Sequence, residues 1–236
     1  MKKLLAIICI LIIICIGIFV KNNKINKENV NASDVENIEN YISKIYMWKE
    51  ITGEALPKFD DINNAPDLWI WEVVKRDLED YEFSYNQIQE KAKELFSSSF
   101  KKQFPKDGTE YLKYDEASQK YIATGIGLDA EEDRFYIKNI EKTSSGYKVQ
   151  ISEYLVDYGN SYDYLNNQTE NSTNDIELPE YDVYIKNLSG DIVSTIKSTD
   201  GETKTIEEIK NNIDKFSTKI VYLKNNNGKL YVTKVE

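Results

Sequence analysis

Apolar residues in the first half of the chain are spaced as in amphipathic helices. Between residues 35 and 48 they recur at steps of three and four, which predicts a helix over residues 34–52 that ends at Gly53. A second helix is predicted to begin beside Pro66, since proline is tolerated in the first turn and the carboxylate of Asp67 is favourable near the positive end of the helix dipole. The N-terminal half is therefore predicted to be helical.

A third helix has the clearest local start signal in the chain. Ser84 and Gln87 have the spacing of a capping box, in which each side chain accepts a hydrogen bond from the backbone N–H of the other residue. Phe83 and Ile88 flank the box as a hydrophobic staple, which fixes the direction in which the chain enters the helix. We therefore expect a helix to begin directly after Ser84.

Beyond the turn at residues 107–108, the spacing of apolar residues changes from a period near 3.6 to a period near 2. Aromatic and β-branched residues are abundant in these segments, as is typical of strands. Gly146, Gly190 and Gly228 stand in polar turns that join neighbouring strands as hairpins. The predicted strands cover residues 121–124, 135–140, 147–158, 181–188, 192–196, 220–223 and 230–235.

One short helix and one long polar loop interrupt the strand-rich half. Thr205 and Glu208 have the spacing of another capping box, so we predict a helix over residues 203–215. Residues 159–175 are rich in asparagine and lack apolar periodicity, which predicts a mobile loop. The order of the elements predicts a single α+β domain over residues 33–236, with the helices packed on one face of a curved antiparallel sheet.

The N-terminal segment has the pattern of a membrane anchor. Two lysines precede residues 4–20, which carry no charge and are long enough for about 26 Å of helix. We predict a signal-like transmembrane anchor over residues 1–20 and a polar tether over residues 21–32, with the C-terminal domain outside the cytoplasm. The alternative is a cleaved secretory signal, since residues 30–32 (Val-Asn-Ala) suit a cleavage site; the domain is then secreted.

The composition excludes several classes of chemistry. The chain has no histidine, which excludes His-based triads and His-liganded metal sites, and its two cysteines, Cys9 and Cys15, both lie in the apolar segment. Residues 1–27 hold five of the 30 basic residues and none of the 40 acidic ones, so residues 28–236 carry a formal charge of −15. Nucleic acid and anionic lipid are therefore poor partners. No phosphate-binding glycine motif indicates a nucleotide, and no cofactor is predicted.

Four acidic residues cluster between two predicted strands: Asp129, Glu131, Glu132 and Asp133. Carboxylates are suitable ligands for a hard cation such as Ca²⁺, but the spacing of a calcium loop is absent. The alternative is a solvated acidic turn, which is common on the surface of acidic proteins. No metal site is predicted, and these four residues are the candidates if one exists.

Aromatic residues make up 12% of the chain and supply the candidate ligand-binding residues. Tyrosines that recur about the end of one predicted strand are suited to line a carbohydrate or peptide groove, although tyrosine is also common in ordinary strands. Two tryptophans lie two positions apart on the second helix, so we expect one of them to lie at an interface or at the mouth of a cavity. The candidates are Trp69, Trp71, Tyr154, Tyr158, Tyr162 and Tyr164.

The order of helices, long strands and a terminal hairpin resembles the NTF2-like or cystatin-like α+β folds of many membrane-anchored bacterial envelope proteins. In addition, residues 153–158 and 211–216 are similar to segments of uncharacterised exported proteins of low-GC Gram-positive bacteria. The resemblance implies a binding, scaffolding or assembly role in the cell envelope. It also implies a partner that is an envelope protein or a wall component.

The sequence supports three functional hypotheses. The first is a non-catalytic, membrane-anchored binding domain, because no nucleophile and base have a suitable spacing and no catalytic residue is predicted. The second is an acidic inhibitor or regulator of cell-wall hydrolases, which captures a basic enzyme electrostatically. The third is a glycosidase, which needs two carboxylates about 5 to 10 Å apart in a cleft.

Overall fold

A computed structural model describes residues 30–78, 80–124, 131–158 and 180–236 of the chain. The predicted membrane anchor at residues 1–20 and the predicted loop at residues 159–175 lie outside these ranges. Within these ranges, no helix is long and apolar enough to cross a membrane.

The described residues form an α+β fold in which every strand pairing is antiparallel. The helices are α1 (Ala32–Ile45), α2 (Lys49–Thr52), α3 (Asp67–Arg76), α4 (Tyr85–Phe96) and α5 (Gly201–Asn211), with short 3₁₀ turns at Ile62–Asn64 and Ile213–Lys215. The strands are β1 (Glu82–Phe83), β2 (Leu112–Asp115), β3 (Lys120–Ala123), β4 (Glu131–Lys142), β5 (Gly146–Asp157), β6 (Asp182–Lys186), β7 (Ile192–Lys197), β8 (Ser217–Asn226) and β9 (Lys229–Val235).

The main sheet is curved, is built around β5 and forks along one edge of that strand. β4 pairs with β5 along nearly its whole length on the first edge. On the second edge, β8 pairs with residues 146–153 of β5 and β6 pairs with residues 155–157. Two branches of sheet, β8–β9 and β6–β7, therefore leave the same edge. Strands β1, β3 and β2 form a separate small sheet.

Apolar side chains are buried on both faces of the main sheet. Successive residues of a strand face opposite ways, and the neighbours Tyr136 and Ile137 of β4 belong to different buried clusters. The larger cluster joins Ile137 to α1, α3 and α4, and the smaller cluster joins Tyr136 to β6, β7 and Ile209 of α5. The prediction that all helices pack on one face is therefore wrong for α5, because the β6–β7 branch has its own apolar face to bury.

The helix predicted over residues 34–52 is interrupted after α1. Tyr46 adopts an extended conformation, which ends the helix. The guanidinium group of Arg76 in α3 donates hydrogen bonds to the carbonyl oxygens of Ser43 and Tyr46, at 2.7 and 2.8 Å. Carbonyl groups at the end of a helix lack partners within the helix, and Arg76 satisfies them here. This cap comes from a distant part of the chain, so the local spacing gave no sign of it.

One of the two predicted capping boxes is confirmed. The Ser84 hydroxyl accepts the N–H of Gln87, and the Gln87 side-chain oxygen accepts the N–H of Ser84 at 2.8 Å. The box at Thr205 is wrong, because α5 already begins at Gly201 and the Thr205 hydroxyl donates to the Gly201 carbonyl oxygen inside the helix. A match in spacing therefore identifies a helix start only where the backbone before it is extended, as at Ser84.

The predicted strands of the main sheet are confirmed, with ends that differ by a few residues. The predicted turn at residues 227–228 is also confirmed, because Asn227 and Gly228 have φ angles of 53° and 88°, as a type I′ hairpin turn requires. The strands β1 and β2 were not predicted. Each is short and depends on pairing with β3, which local spacing does not reveal.

A carboxylate on α1 has a pKa near neutrality. Burial of Glu39, together with the negative charges of Glu202 in α5 and of Glu36, raises the pKa of Glu39 from 4.5 to about 7. Burial raises the pKa of Glu202 as well. Ionisation of Glu39 therefore opposes the folded state.

We expect Glu39→Gln to stabilise the protein at alkaline pH. Because the folded state binds the proton more tightly than the unfolded chain, the free energy of unfolding of the wild-type chain falls as the pH rises from 4.5 to about 7. Above that range the variant should be more stable by about 2 kcal/mol, after allowance for water that still reaches the side chain. Urea unfolding of the full chain in detergent micelles, repeated across this pH range, measures the difference.

The matched control is Glu116→Gln, which removes one exposed carboxylate from the turn after β2. It should follow the wild-type pH profile throughout. If Glu39→Gln also followed that profile, the ionisation of Glu39 would have no effect on stability.

Candidate functional site

A buried ion pair lies where the two branches of the main sheet separate. Glu153 is the last residue of β5 that pairs with β8, and its side chain is 1% exposed; that of Lys219 in β8 is 9% exposed. Lys219 Nζ lies 3.2 Å from Glu153 Oε1. It also donates to the Leu56 carbonyl oxygen at 2.5 Å and lies 3.4 Å from Glu54 Oε2. An ammonium group has three protons, so these acceptors use its whole donor capacity.

Both oxygens of the Glu153 carboxylate also have partners. The Tyr46 hydroxyl, directly after α1, lies 3.4 Å from Oε1, and the Ser217 hydroxyl lies 3.5 Å from Oε2. Burial raises the pKa of Glu153, and the charge of Lys219 opposes that increase. Because each charged group is occupied by groups of the protein itself, this network has no open position for a substrate.

Glu153 and Lys219 were not among the residues predicted from the sequence. The alternation of inward and outward side chains along the two strands is the sequence signal that could have identified them. Glu153 is two positions from Ile151, and Lys219 is two positions from Val221, so both charges lie on the apolar face of their strand. A charge in phase with buried residues on two paired strands indicates a buried ion pair.

Two of the predicted tyrosines lie near the end of β5, with Tyr154 on the opposite face from Glu153. Tyr154 is 4% exposed and packs against Phe216, with ring centroids 5.9 Å apart. The Tyr158 hydroxyl donates to Glu132 Oε2 at 3.3 Å, and Glu132 forms an ion pair with Arg134. Burial, with the charge of Glu132, raises the pKa of Tyr158 to about 12. These contacts join the end of β5 to β4 and to Phe216, the residue directly before β8.

Other predicted site residues fall outside the described ranges. They are Asp129, Tyr162 and Tyr164. Of Glu131 only the backbone is described, as the first residue of β4. The structure therefore brings Tyr154 and Tyr158 close to Glu132, while Asp133, Trp69 and Trp71 lie elsewhere in the fold.

The described acidic residues at the start of β4 are divided between the two faces of the sheet. Glu132 and Asp133 are consecutive in a strand, so their side chains point in opposite directions. Asp133 Oδ2 accepts the backbone N–H of Lys49, the first residue of α2, at 2.7 Å. Nowhere in the described ranges do three or more potential metal-ligating side chains come together. Glu132 and Asp133 serve local contacts in this structure.

Both predicted tryptophans are buried, so the expectation that one lies at an interface or a cavity mouth is wrong. Trp69 is 0% exposed and its indole N–H donates to the Ile45 carbonyl oxygen at 3.1 Å. Trp71 is 1% exposed and packs edge-on against Phe104, with ring centroids 5.1 Å apart. The reason is that α3 is covered from two sides, by α1 and by the segment after α4.

A groove of about 380 Å³ lies between α4 and the segment that follows α3. Its volume is within the usual range for ligand sites, about 300 to 1,000 Å³. The floor is apolar, with the nearly buried ring of Phe83 and the half-buried side chain of Leu78. Four carboxylates line the groove: Asp77, Asp80, Glu90 and Glu94.

The charges in this groove are only partly compensated. Lys91 lies 3.4 Å from Asp77 and 3.1 Å from Glu94. Asp80 and Glu90 are exposed and form no ion pair with any other residue in the described ranges. The negative end of the α3 dipole lies at Asp77 and adds to the local potential. The groove therefore attracts cations.

We expect Lys219→Met to destabilise the fold strongly. Methionine keeps an unbranched stem of similar length and removes the ammonium group. Glu153 is then a buried charge without its cation, which costs about 3 to 5 kcal/mol. The free energy of unfolding of the full chain in micelles, obtained from urea titration, measures this loss. The double variant Glu153→Gln/Lys219→Met should recover part of it, because no unpaired charge remains in the core.

Lys234→Met is the matched control, since Lys234 pairs with Glu236 at the exposed surface. It should cost less than about 1 kcal/mol. A loss that small for Lys219→Met would mean that the buried pair does not support the fold.

Comparison of the chain with protein-family models, with curated proteins and with solved structures finds no match. The resemblance to NTF2-like or cystatin-like envelope proteins therefore stays a prediction. The chemistry of this chain has to be inferred from its own geometry.

Proposed function

We propose that this chain is a non-catalytic, membrane-anchored binding domain of the bacterial cell envelope, held outside the cytoplasm by residues 4–20. Its ligand is a basic segment of an envelope protein or of a wall component, bound in the groove beside α4. The observation that carries the proposal is the pair of uncompensated carboxylates, Asp80 and Glu90, above an apolar floor.

The groove suits the side chains of arginine and lysine in particular. Both have an apolar stem that packs against hydrophobic surface and a charged head that stays at the polar rim. Leu78 offers apolar surface for the stem, and Asp80 and Glu90 offer acceptors for the head. Arginine is favoured over lysine, because its planar guanidinium binds carboxylates with two parallel hydrogen bonds.

The buried network supports the non-catalytic part of the proposal. A catalytic carboxylate must reach the substrate, whereas Glu153 is buried and both of its oxygens are occupied. The third hypothesis, a glycosidase, requires two carboxylates that face each other across a cleft. Glu153 does not meet that requirement, because its side chain is 1% exposed and both of its oxygens have partners within the protein.

The regulator of cell-wall hydrolases is a narrower form of the same proposal. A strongly acidic surface, with a charge of −15 over residues 28–236, speeds encounter with a basic enzyme and fixes its orientation. An arginine or lysine of that enzyme would occupy the groove. The two versions differ in the identity of the partner and share the same binding chemistry.

We expect the full chain in detergent micelles to bind a fluorescein-labelled, arginine-rich peptide at low ionic strength. Asp80→Asn/Glu90→Gln should weaken binding about tenfold, which corresponds to about 1.4 kcal/mol, because it removes both uncompensated charges. Added salt should weaken binding to the wild-type chain, since exposed charges are screened. Fluorescence anisotropy measures the dissociation constants.

The matched control is Glu116→Gln/Asp214→Asn, which removes the same number of exposed carboxylates elsewhere. It should bind as the wild-type chain does. Equal losses in the two double variants would show that net charge alone attracts the peptide, and the groove would not be the site.

A further inference from the structure

One end of the main sheet carries positive charge although the domain as a whole is acidic. The turns between β4 and β5 and between β8 and β9 lie side by side at this end, where the N–H of Asn225 donates to the Ser145 carbonyl oxygen at 2.9 Å. The strands approach so closely that a Cβ atom on Gly146 would lie 2.0 Å from the Leu223 carbonyl oxygen. We call this part the turn end; it comprises residues 141–148 and 222–231.

The turn end holds four lysines and one acidic residue. Lys148 lies 3.8 Å from that acid, Glu141, and forms an ion pair with it. The other three lysines, Lys142, Lys224 and Lys229, are exposed and form no ion pair with any residue that the structure describes. The formal charge within these bounds is therefore positive, and it stays positive when the carboxylates of Asp34 and Glu236, which approach Tyr147 and Tyr222, are included; residues 28–236 together carry −15.

The chain enters the domain at this same end. Val30, the first residue that the structure describes, is 7% exposed, and α1 begins two residues later. Asp34 in the first turn of α1 lies close enough to the Tyr147 hydroxyl to contribute to the raised pKa of that group. Tyr147 pairs directly with Lys142 across β4 and β5. The first turn of α1 is therefore adjacent to the turn end.

Nine residues, 21–29, connect the predicted anchor to Val30. Fully extended, they span at most about 30 Å. Because this connection carries Lys21, Lys24 and Lys27 against the single acid Glu28, the segment itself is attracted to an anionic surface. The turn end is thus held near the outer leaflet, at a range where contact requires only a rotation of the domain.

We propose that the turn end docks on the anionic phosphate headgroups of the membrane in which the chain is anchored. The inference rests on the membrane anchor of the proposed function. Lysines act on such a surface through the negative surface potential, and the effect reaches about one Debye length, roughly 8 Å at physiological ionic strength. Docking at this end directs the rest of the acidic domain, including the groove beside α4, away from the membrane charge that repels it.

Net charge alone gives the opposite expectation, since a domain with a charge of −15 over residues 28–236 makes anionic lipid a poor partner. The structure changes that conclusion because charge is unevenly distributed. Only the charges within a Debye length of the membrane contribute strongly, and at the turn end these are mostly lysines. An acidic protein can therefore have one lipid-facing end.

Energy transfer between the turn end and lipid headgroups tests the proposal. The full chain carries Cys9→Ala and Cys15→Ala, with Ser145→Cys labelled by a donor dye, and is reconstituted into vesicles that contain an acceptor-labelled lipid. The vesicles consist of phosphatidylcholine alone or of phosphatidylcholine mixed with phosphatidylglycerol. We expect higher transfer with phosphatidylglycerol, and we expect added salt to remove the difference.

Two triple variants locate the effect. Lys142→Glu/Lys224→Glu/Lys229→Glu should reduce the ratio of docked to undocked protein at least tenfold, to the level seen with phosphatidylcholine alone. Lys106→Glu/Lys113→Glu/Lys210→Glu reverses three exposed lysines elsewhere and should leave transfer unchanged.

Vesicle flotation separates the two ways in which the account can fail. A chain that does not float with the vesicles lacks the anchor, which overturns the proposed location and this inference with it. A chain that floats but shows equal transfer with both lipid compositions overturns the docking alone. Equal loss of transfer in both triple variants also overturns it, because the turn end would then have no special role.

Discussion

The buried ion pair between Glu153 and Lys219 is the constraint on which the rest of the structure depends. Glu153 is the last residue of β5 that pairs with β8 before β6 becomes its neighbour, and Lys219 lies two residues into β8 from Ser217, the partner of Glu153. Through Tyr46 and the Leu56 carbonyl group the ion pair also fixes the chain on either side of α2. A buried charge without these partners is costly, so the branch point, the end of α1 and the residue 54–56 segment must form together.

The fork explains why the protein has two buried clusters and not one. Beyond the first residue of β8, the edge of β5 pairs with β6. The apolar side chains of β6 lie on the face of the sheet that α5 covers. The larger cluster keeps the other face, under α1, α3 and α4. The Glu153–Lys219 pair is closed by groups of the protein itself. Within the described ranges, Asp80 and Glu90 of the groove form no ion pair, and neither do Lys142, Lys224 and Lys229 of the turn end.

Local signals in the sequence predicted the elements that depend on local physics. The Ser84 capping box and the turn at Asn227 each use only neighbouring residues, and both are present. The predictions that failed concern features that depend on distant residues. The break after α1 depends on Arg76, and the burial of both tryptophans depends on the elements that cover α3 from two sides. The groove was not predicted, because its carboxylates come from two elements and were a few among 40 acids.

The central claim is that a basic ligand binds in the groove while the buried ion pair stays closed. Amide chemical shifts of the ¹⁵N-labelled full chain in micelles, followed during titration with the arginine-rich peptide, test it most directly. The shift changes should be concentrated over residues 77–94 and absent at Tyr46, Glu153 and Lys219. Changes centred on those three residues, or spread evenly over the acidic surface, would contradict it.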